Sequence, residues 1–198
     1  MKLLGDCAVL LAADDAIDAQ RIAAGVRQQK LVGVVDVVPA ERSVLVVFEP
    51  NTAIPSFDDV PKAVRTDSGR EHVVPVRYDG TDLGEVARRT GLDVDEVIRR
   101  HEARTYGVAF LGFSPGFGYL TGVDEQLRLA RRDTPRTSVP AGSVAIAGPY
   151  SAVYPAASPG GWWLLGRTDV IPFDANRRLP ALFAPGDRVR FVASVRGG

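Results

Sequence analysis

The chain has 198 residues, 45% of them hydrophobic and 24% charged, with 24 basic side chains set against 24 acidic ones. That length suits one large domain or two small ones, and the zero formal net charge argues against a broad electrostatic surface for nucleic acid. The single cysteine, Cys7, can form neither an internal disulfide nor a cysteine cluster for zinc, which fits a reducing compartment.

The N-terminal "MKLLGDCAVLLAADDA" has a short apolar run, but Asp6 interrupts it and Asp14 and Asp15 follow, so it lacks the unbroken core of a signal peptide. No run approaches the roughly 20 apolar residues needed to span a bilayer, and a cytoplasmic protein is expected. Residues 1–70 read as a small α/β domain. "LLGDCAVLLA" predicts a strand, and Asp14 or Asp15 caps a helix whose apolar side carries Ala19, Ile22, Ala23 and Val26. "LVGVVDVVP" and "SVLVVFEP" are β-branched runs joined by "AERS", a hairpin pattern. A second amphipathic segment is expected over 57–64, and polar "RTDSGRE", residues 65–71, reads as a linker.

Residues 71–198 read as a second domain. "HVVPVRYD" predicts a strand. "TDLGEVARRTG" predicts a helix with a capping threonine and a stop at Gly91, and "DVDEVIRRHEA" one opened by Asp93 and Glu96 at capping-box spacing. The pair resembles a helix-turn-helix, yet Asp93, Asp95 and Glu96 would stand where DNA phosphates approach, which disfavours DNA binding. From Gly107 onward the texture changes. Residues 110–172 hold nine of the 20 glycines and seven of the 14 prolines, with short apolar runs between them, so a barrel or sandwich with shaped loops is expected rather than helices. "APGDRVRFVASV" closes it with a turn and a strand.

Gly112-Phe113-Ser114-Pro115-Gly116 matches the G-x-S-x-G nucleophile elbow. An elbow draws one oxyanion donor from the N–H after the serine, and Pro115 has none. The only histidines, His72 and His101, both precede the serine. The segment therefore reads as a shaped loop whose Phe113, Phe117 and Tyr119 pack or line a pocket. His101 is a surface or partly buried polar residue, or a contributor to a cleft. The carboxylates show no metal-ligand spacing. Residues 134–168 set Arg136, Ser143, Tyr154, Ser158, Arg167 and Thr168 on rigid Gly/Pro loops, as a small-molecule pocket requires. The arginine forks suit carboxylate or phosphate, or else tie loops together.

"GFSPGFGYLTG", "TPRTSVPAGSVAIAG", "VYPAASPGGWWLLGRT", "PFD" and "APGDRVRF" resemble, in order, the allophanate hydrolase subunit 1 family, which includes the B subunit of 5-oxoprolinase and KipI-type kinase inhibitors. The resemblance implies an α+β chain: a small α/β N-terminal domain, then a cyclophilin-like β-barrel with a helical insertion. It implies a component of a heteromeric ATP-dependent amidohydrolase, converting 5-oxoproline to glutamate with ATP hydrolysis, or of an allophanate hydrolase; the alternative is a KipI-type regulator of a sensor histidine kinase. It further implies a subunit 2-type partner, a third hydrolase subunit, and ATP handled in the complex. Carried onto this sequence, Arg136 and Arg167 are the catalytic candidates. Phe113, Phe117, Tyr119, Ser143, Tyr154, Ser158 and Thr168 are the substrate-binding candidates, joined by His101 from its own reading as a cleft residue. One departure stands out: where the family usually carries Gln-Thr-Gly, this chain reads Pro149-Tyr150-Ser151-Ala152. Of the two tryptophans, Trp162 is expected inward and Trp163 outward, as an interface anchor.

Overall fold

The computed structural model describes residues 1–57 and 69–194, and the chain divides into two compact units, Met1–Asp67 and Ser68–Gly198. Apart from Phe57, the amphipathic segment expected over 57–64 lies outside the described residues, as does most of the 65–71 linker.

Among its described residues the first unit is a four-stranded antiparallel sheet with one helix. Strands β1 (Lys2–Leu3), β2 (Ala8–Ala12), β3 (Val34–Pro39) and β4 (Ser43–Phe48) are arranged β1-β2-β4-β3. The single strand expected in "LLGDCAVLLA" is instead a tight hairpin, with Lys2 opposite Leu10, because Gly5 adopts a left-handed turn at φ 65°. Helix α1 (Ala16–Gln28) starts at Asp15, whose carboxylate accepts the Asp18 N–H at 2.7 Å. Its buried Ala19, Ile22, Ala23 and Val26 meet Val9, Leu11, Val44 and Val46 from the sheet in one core.

The second unit is built on a seven-stranded sheet. In chain order its elements are β5 (Glu71–Val76), α2 (Leu83–Thr90), α3 (Val94–Glu102), β6 (Thr105–Leu111), β7 (Gly118–Thr121), β8 (Arg136–Val139), β9 (Ser143–Ala147), β10 (Tyr150–Val153), β11 (Ser158–Gly160), β12 (Trp163–Arg167) and β13 (Arg188–Ala193). The sheet order is β12-β9-β10-β7-β6-β13-β5, and β8 and β11 form a separate ribbon. All neighbours are antiparallel except β13 and β5. The two edges meet just beyond β5, where Arg77 and Arg167 exchange backbone N–H···O bonds of 2.8 and 2.9 Å, so the sheet is a nearly closed barrel. Gly166 makes that closure possible, because a Cβ there would run into the Arg77 carbonyl.

Strand alternation gives the sheet two apolar faces. One carries Val74, Tyr106, Leu120, Val144, Ile146, Leu165 and Phe191 and is capped by Val86 and Val97 of the helices. The other carries Ala145, Ala147, Ala152 and Leu164, with Phe117, Tyr154 and Trp162. Helix α2 stops at Gly91 (φ 70°), and Asp93 caps α3 by accepting the Glu96 N–H at 2.7 Å. The threonine cap expected for α2 is not what forms. Asp82 holds the capping position, and its carboxylate caps nothing within the helix because it is engaged across the barrel.

Trp163 also departs from expectation. Both tryptophans are buried, at 4% and 5% exposure. β12 is covered on both sides: Trp162 joins the aromatic face, while Trp163 enters the main core and donates Nε1–H to the Ala130 carbonyl at 2.7 Å. Its ring also lies under the Arg89 and Arg132 guanidiniums, 4.9 and 5.2 Å from its centroid. Among the described residues no helix is long and apolar enough to cross a membrane. Trp163→Ala is expected to destabilise the protein by about 3–5 kcal/mol, the usual cost of emptying a large aromatic site, read as a lowered midpoint in denaturant melts; a wild-type midpoint would return Trp163 to the surface.

Candidate functional site

The second sheet face has an alanine floor. Ala145 and Ala147 on β9 and Ala152 on β10 are all buried, and their small side chains leave room that bulkier residues would fill. Aromatic rings frame it. Phe110 stacks on Tyr119 at 4.3 Å; Tyr150 meets both edge-on at 5.9 and 5.5 Å. Phe117 stands edge-on to Tyr154 (5.2 Å), Trp162 (5.4 Å) and Phe113 (5.2 Å). Phe113 is 60% exposed and has φ 67°, a conformation that costs an ordinary side chain energy. That strained turn holds an apolar ring open to solvent at the rim.

Ser114 lies in this turn, between β6 and β7. Its N–H donates to the Gly112 carbonyl and its own carbonyl accepts from Phe117, and a strand follows rather than the helix an elbow requires.

The β8–β11 ribbon brings Arg136 and Ser158 beside the floor, with Ser158 opposite Val139 and Gly160 opposite Arg136. Gly160 is needed there, since a Cβ would collide with the Tyr154 hydroxyl. Burial pushes the Tyr154 hydroxyl up, partly offset by the nearby Arg131 and Arg136 charges, so it stays a neutral phenol at neutral pH. At the same end the Tyr154 N–H donates to the Ser143 carbonyl (2.9 Å) and the Thr168 N–H to the Gly142 carbonyl (2.8 Å). Thr168 Oγ1 accepts the Val170 N–H at 3.2 Å.

The two candidate arginines differ. Arg167 lies opposite Ser143 and donates from Nε and Nη2 to one Asp79 oxygen, at 2.9 and 2.6 Å, with both side chains largely in solvent. Arg136 is 24% exposed and donates from Nη2 to Asp82 Oδ1 at 2.6 Å. The same oxygen accepts Arg132 Nη1 at 2.8 Å, and Asp82 Oδ2 accepts the Leu164 N–H at 2.8 Å. Arg136 Nη1 and Ser158 Oγ are buried and have no hydrogen-bond partner among the described residues. These two unsatisfied donors suit an oxyanion. Asp82 is the residue that sequence reasoning missed. The sequence pattern gave the start of α2 to the preceding threonine and passed over Asp82, whose partners lie 50 or more residues away.

Phe113, Phe117, Tyr119, Ser143, Tyr154, Ser158, Thr168, Arg136 and Arg167 are thus gathered around one end of the floor. His101 is not. It is fully buried under α3, where its Nε2 meets Ser151 Oγ at 3.1 Å, and Ser151 projects from β10 to the face opposite Tyr150 and Ala152. Ser151 donates to the Ala145 carbonyl, so its oxygen accepts Nε2–H; Nδ1 then accepts the Tyr78 hydroxyl at 2.9 Å. A histidine that gives its Nε2 proton to the serine is not a base for it. Phe191 stacks on the ring at 4.5 Å, and burial pushes the imidazole down to about 3.

The family profile for the carboxyltransferase domain, subdomain C and D, matches residues 1–183, and the chain belongs to that family. Among curated relatives, it is 50% identical over 127 residues to the B subunit of the Escherichia coli O157:H7 5-oxoprolinase, covering 63% of this chain and 58% of that protein. It is 34% identical over 219 residues to the B subunit of the Bacillus subtilis (strain 168) 5-oxoprolinase, covering 97% and 91%. Among solved structures, TTHA0988 superposes with a TM-score of 0.82 at 38% identity, over 95% of this chain and 40% of that one. The chain therefore spans less than two thirds of the E. coli relative and of TTHA0988.

The His101 geometry generates a pH prediction. Its folded pKa lies below the unfolded value of 6.5, so the unfolded state binds the extra proton between about 6.5 and 3. Stability is expected to fall as pH drops through that window, and His101→Gln should flatten the acid limb in urea melts; an unchanged limb would show that His101 does not set it.

Proposed function

We propose that this chain is the counterpart of the B subunit in an ATP-dependent 5-oxoprolinase, opening a small cyclic amide at the alanine-floored site. The observation that carries the reading is the pairing of that apolar, aromatic-framed floor with a pre-aimed arginine, in a chain 50% identical over 127 residues to a 5-oxoprolinase component. The division at 70/71, the cyclophilin-like character of the barrel and a cytoplasmic location belong to the same reading.

A lactam resists water because its nitrogen lone pair is delocalised into the carbonyl. ATP, handled in the complex, would phosphorylate the amide oxygen and release ADP; water would then add to the activated carbon, the C–N bond would break with the nitrogen leaving as the protonated amine, and hydrolysis of the resulting acyl phosphate would give the carboxylate and phosphate. Arg136 and Ser158 offer the unsatisfied donors to hold the charged oxygens. Phe113, Phe117 and Tyr119 bind the apolar edge of the ring and exclude water, and Tyr154 donates as a neutral phenol. Arg167, with Ser143 and Thr168 at its base, adds positive charge at the rim from a solvent-screened pair with Asp79. His101 acts by fixing α3 against the sheet behind the floor, not by touching substrate. A subunit 2-type partner and a third hydrolase subunit complete the enzyme.

The chain is to be assembled with both partners and assayed for 5-oxoproline-dependent ADP release, which is expected only from the assembly. Arg136→Lys, which keeps the charge but loses the fork, should lower kcat about 100-fold, the scale of a lost oxyanion donor. Ser114→Ala should leave turnover nearly intact; a loss of about 100-fold, the scale of a missing catalytic group, would revive the nucleophile reading. Turnover by the isolated chain, or wild-type kcat in Arg136→Lys, would contradict the proposal.

A further inference from the structure

A cleft of about 430 Å³ opens beside helix α2 and the 129–134 segment, lined by Glu85, Arg89, Arg131, Arg132, Asp133 and Trp163 among others. Its size suits a small molecule. Its wall is the Trp163 indole, with the Arg89 and Arg132 guanidiniums lying over the ring.

The charges here do not balance locally. Glu85 accepts from Arg88 at 2.8 and 2.6 Å and from Arg89 at 2.7 Å, and these partners hold its carboxyl down at about 2. Asp82 in turn is shared by Arg132 and Arg136. Two carboxylates are thus each divided between two guanidiniums. Arg131 adds a further cation, and the lining itself sets three arginines, Arg89, Arg131 and Arg132, against two acids, Glu85 and Asp133. Arg131 is exposed and makes no hydrogen bond or ion pair among the described residues. Arg132 Nε, on the same wall, is a buried donor without a partner among the described residues. Guanidiniums crowded about one indole with too few carboxylates produce a positive potential, and a concave site concentrates it.

We propose that this cleft is an anion-binding site separate from the alanine floor, taking the phosphate or carboxylate oxygens of a small metabolite, with Arg131 as the cation that captures them. The cleft reaches the floor's arginine end through Arg132, which lines it and shares Asp82 Oδ1 with Arg136. An anion seated there would draw on Arg132 and change how Asp82 is shared with Arg136. The site does not depend on the amide-opening reading, since capture of an oxyanion needs only the geometry of this chain.

The test is isothermal titration of the full chain, at low ionic strength, with pyrophosphate, ATP and 5-oxoproline in turn. The wild type is compared with Arg131→Ala and with Arg21→Ala, an exposed arginine on α1. At least one anion should bind, Arg131→Ala should weaken it about tenfold, as expected for one charge-assisted contact, and Arg21→Ala should leave it unchanged. Arg131-dependent binding of pyrophosphate and ATP without 5-oxoproline assigns a phosphate ligand; Arg131-dependent binding of 5-oxoproline alone assigns a carboxylate, whereas 5-oxoproline binding that Arg131→Ala leaves unchanged belongs to the floor and does not support the cleft. Absence of binding by all three at millimolar concentration, or an Arg131→Ala protein that binds like the wild type, overturns the proposal. The titration involves neither partner nor turnover, so its failure leaves the amide reading standing, and an inactive assembly leaves the cleft standing.

Discussion

The buried carboxylate of Asp82 ties the second unit together. It is 3% exposed and engaged on every side: its N–H reaches the Leu164 carbonyl, one oxygen accepts the Leu164 N–H, and the other accepts two arginines. A charge removed from water is tolerated only when its lone pairs are met by well-placed donors, and removing a partner from such a pair costs about 3–5 kcal/mol. Here the donors come from three places in the chain: strand β12, the segment before β8, and β8 itself. One side chain therefore sets where α2 begins, where the ribbon lies, and which way Arg136 points.

The division of labour between the sheet faces follows from that anchoring. β10 alternates Tyr150 and Ala152 toward the floor with Ser151 and Val153 toward the main core. One face is filled with large aliphatic and aromatic side chains and sealed by helices, and there His101 is stacked, doubly hydrogen-bonded and neutral. The other is lined with alanines and bordered by rings and two unsatisfied donors. The same histidine on the floor face would invite an acid–base role; behind it, the residue is structural. The Pro149-Tyr150-Ser151-Ala152 departure spans both faces, adding a ring to the aromatic frame through Tyr150 and a hydrogen-bond partner for His101 through Ser151.

Local patterns are legible in the sequence to the extent that their causes are local. The Asp15 and Asp93 caps, the Gly91 stop and the β3–β4 hairpin depend on neighbours a few residues away, and each forms where its pattern places it. The Gly/Pro-rich half forms strands and shaped loops for the same reason. What escapes reading depends on distant partners. Asp82 passes unnoticed beside the threonine expected to cap α2, because its arginines lie 50 and 54 residues onward. Trp163 looks outward because alternation assigns sides of a strand but not what covers each side, and α2 covers this one. Most candidate site residues are found together because the loops carrying them meet at one barrel end. His101 is misplaced because its helix packs on the opposite face.

The central claim is that the floor beside Asp82-held Arg136 is where the amide binds. A crystal structure of the assembled complex with 5-oxoproline measures this most directly, as the separation between the Arg136 guanidinium and the nearest substrate oxygen. The account predicts a hydrogen bond, about 2.7–3.2 Å, with the ring lying over Ala145 and Ala152 among Phe113, Phe117 and Tyr119. Substrate bound elsewhere in the complex, with Arg136 still turned to Asp82 alone, would contradict it.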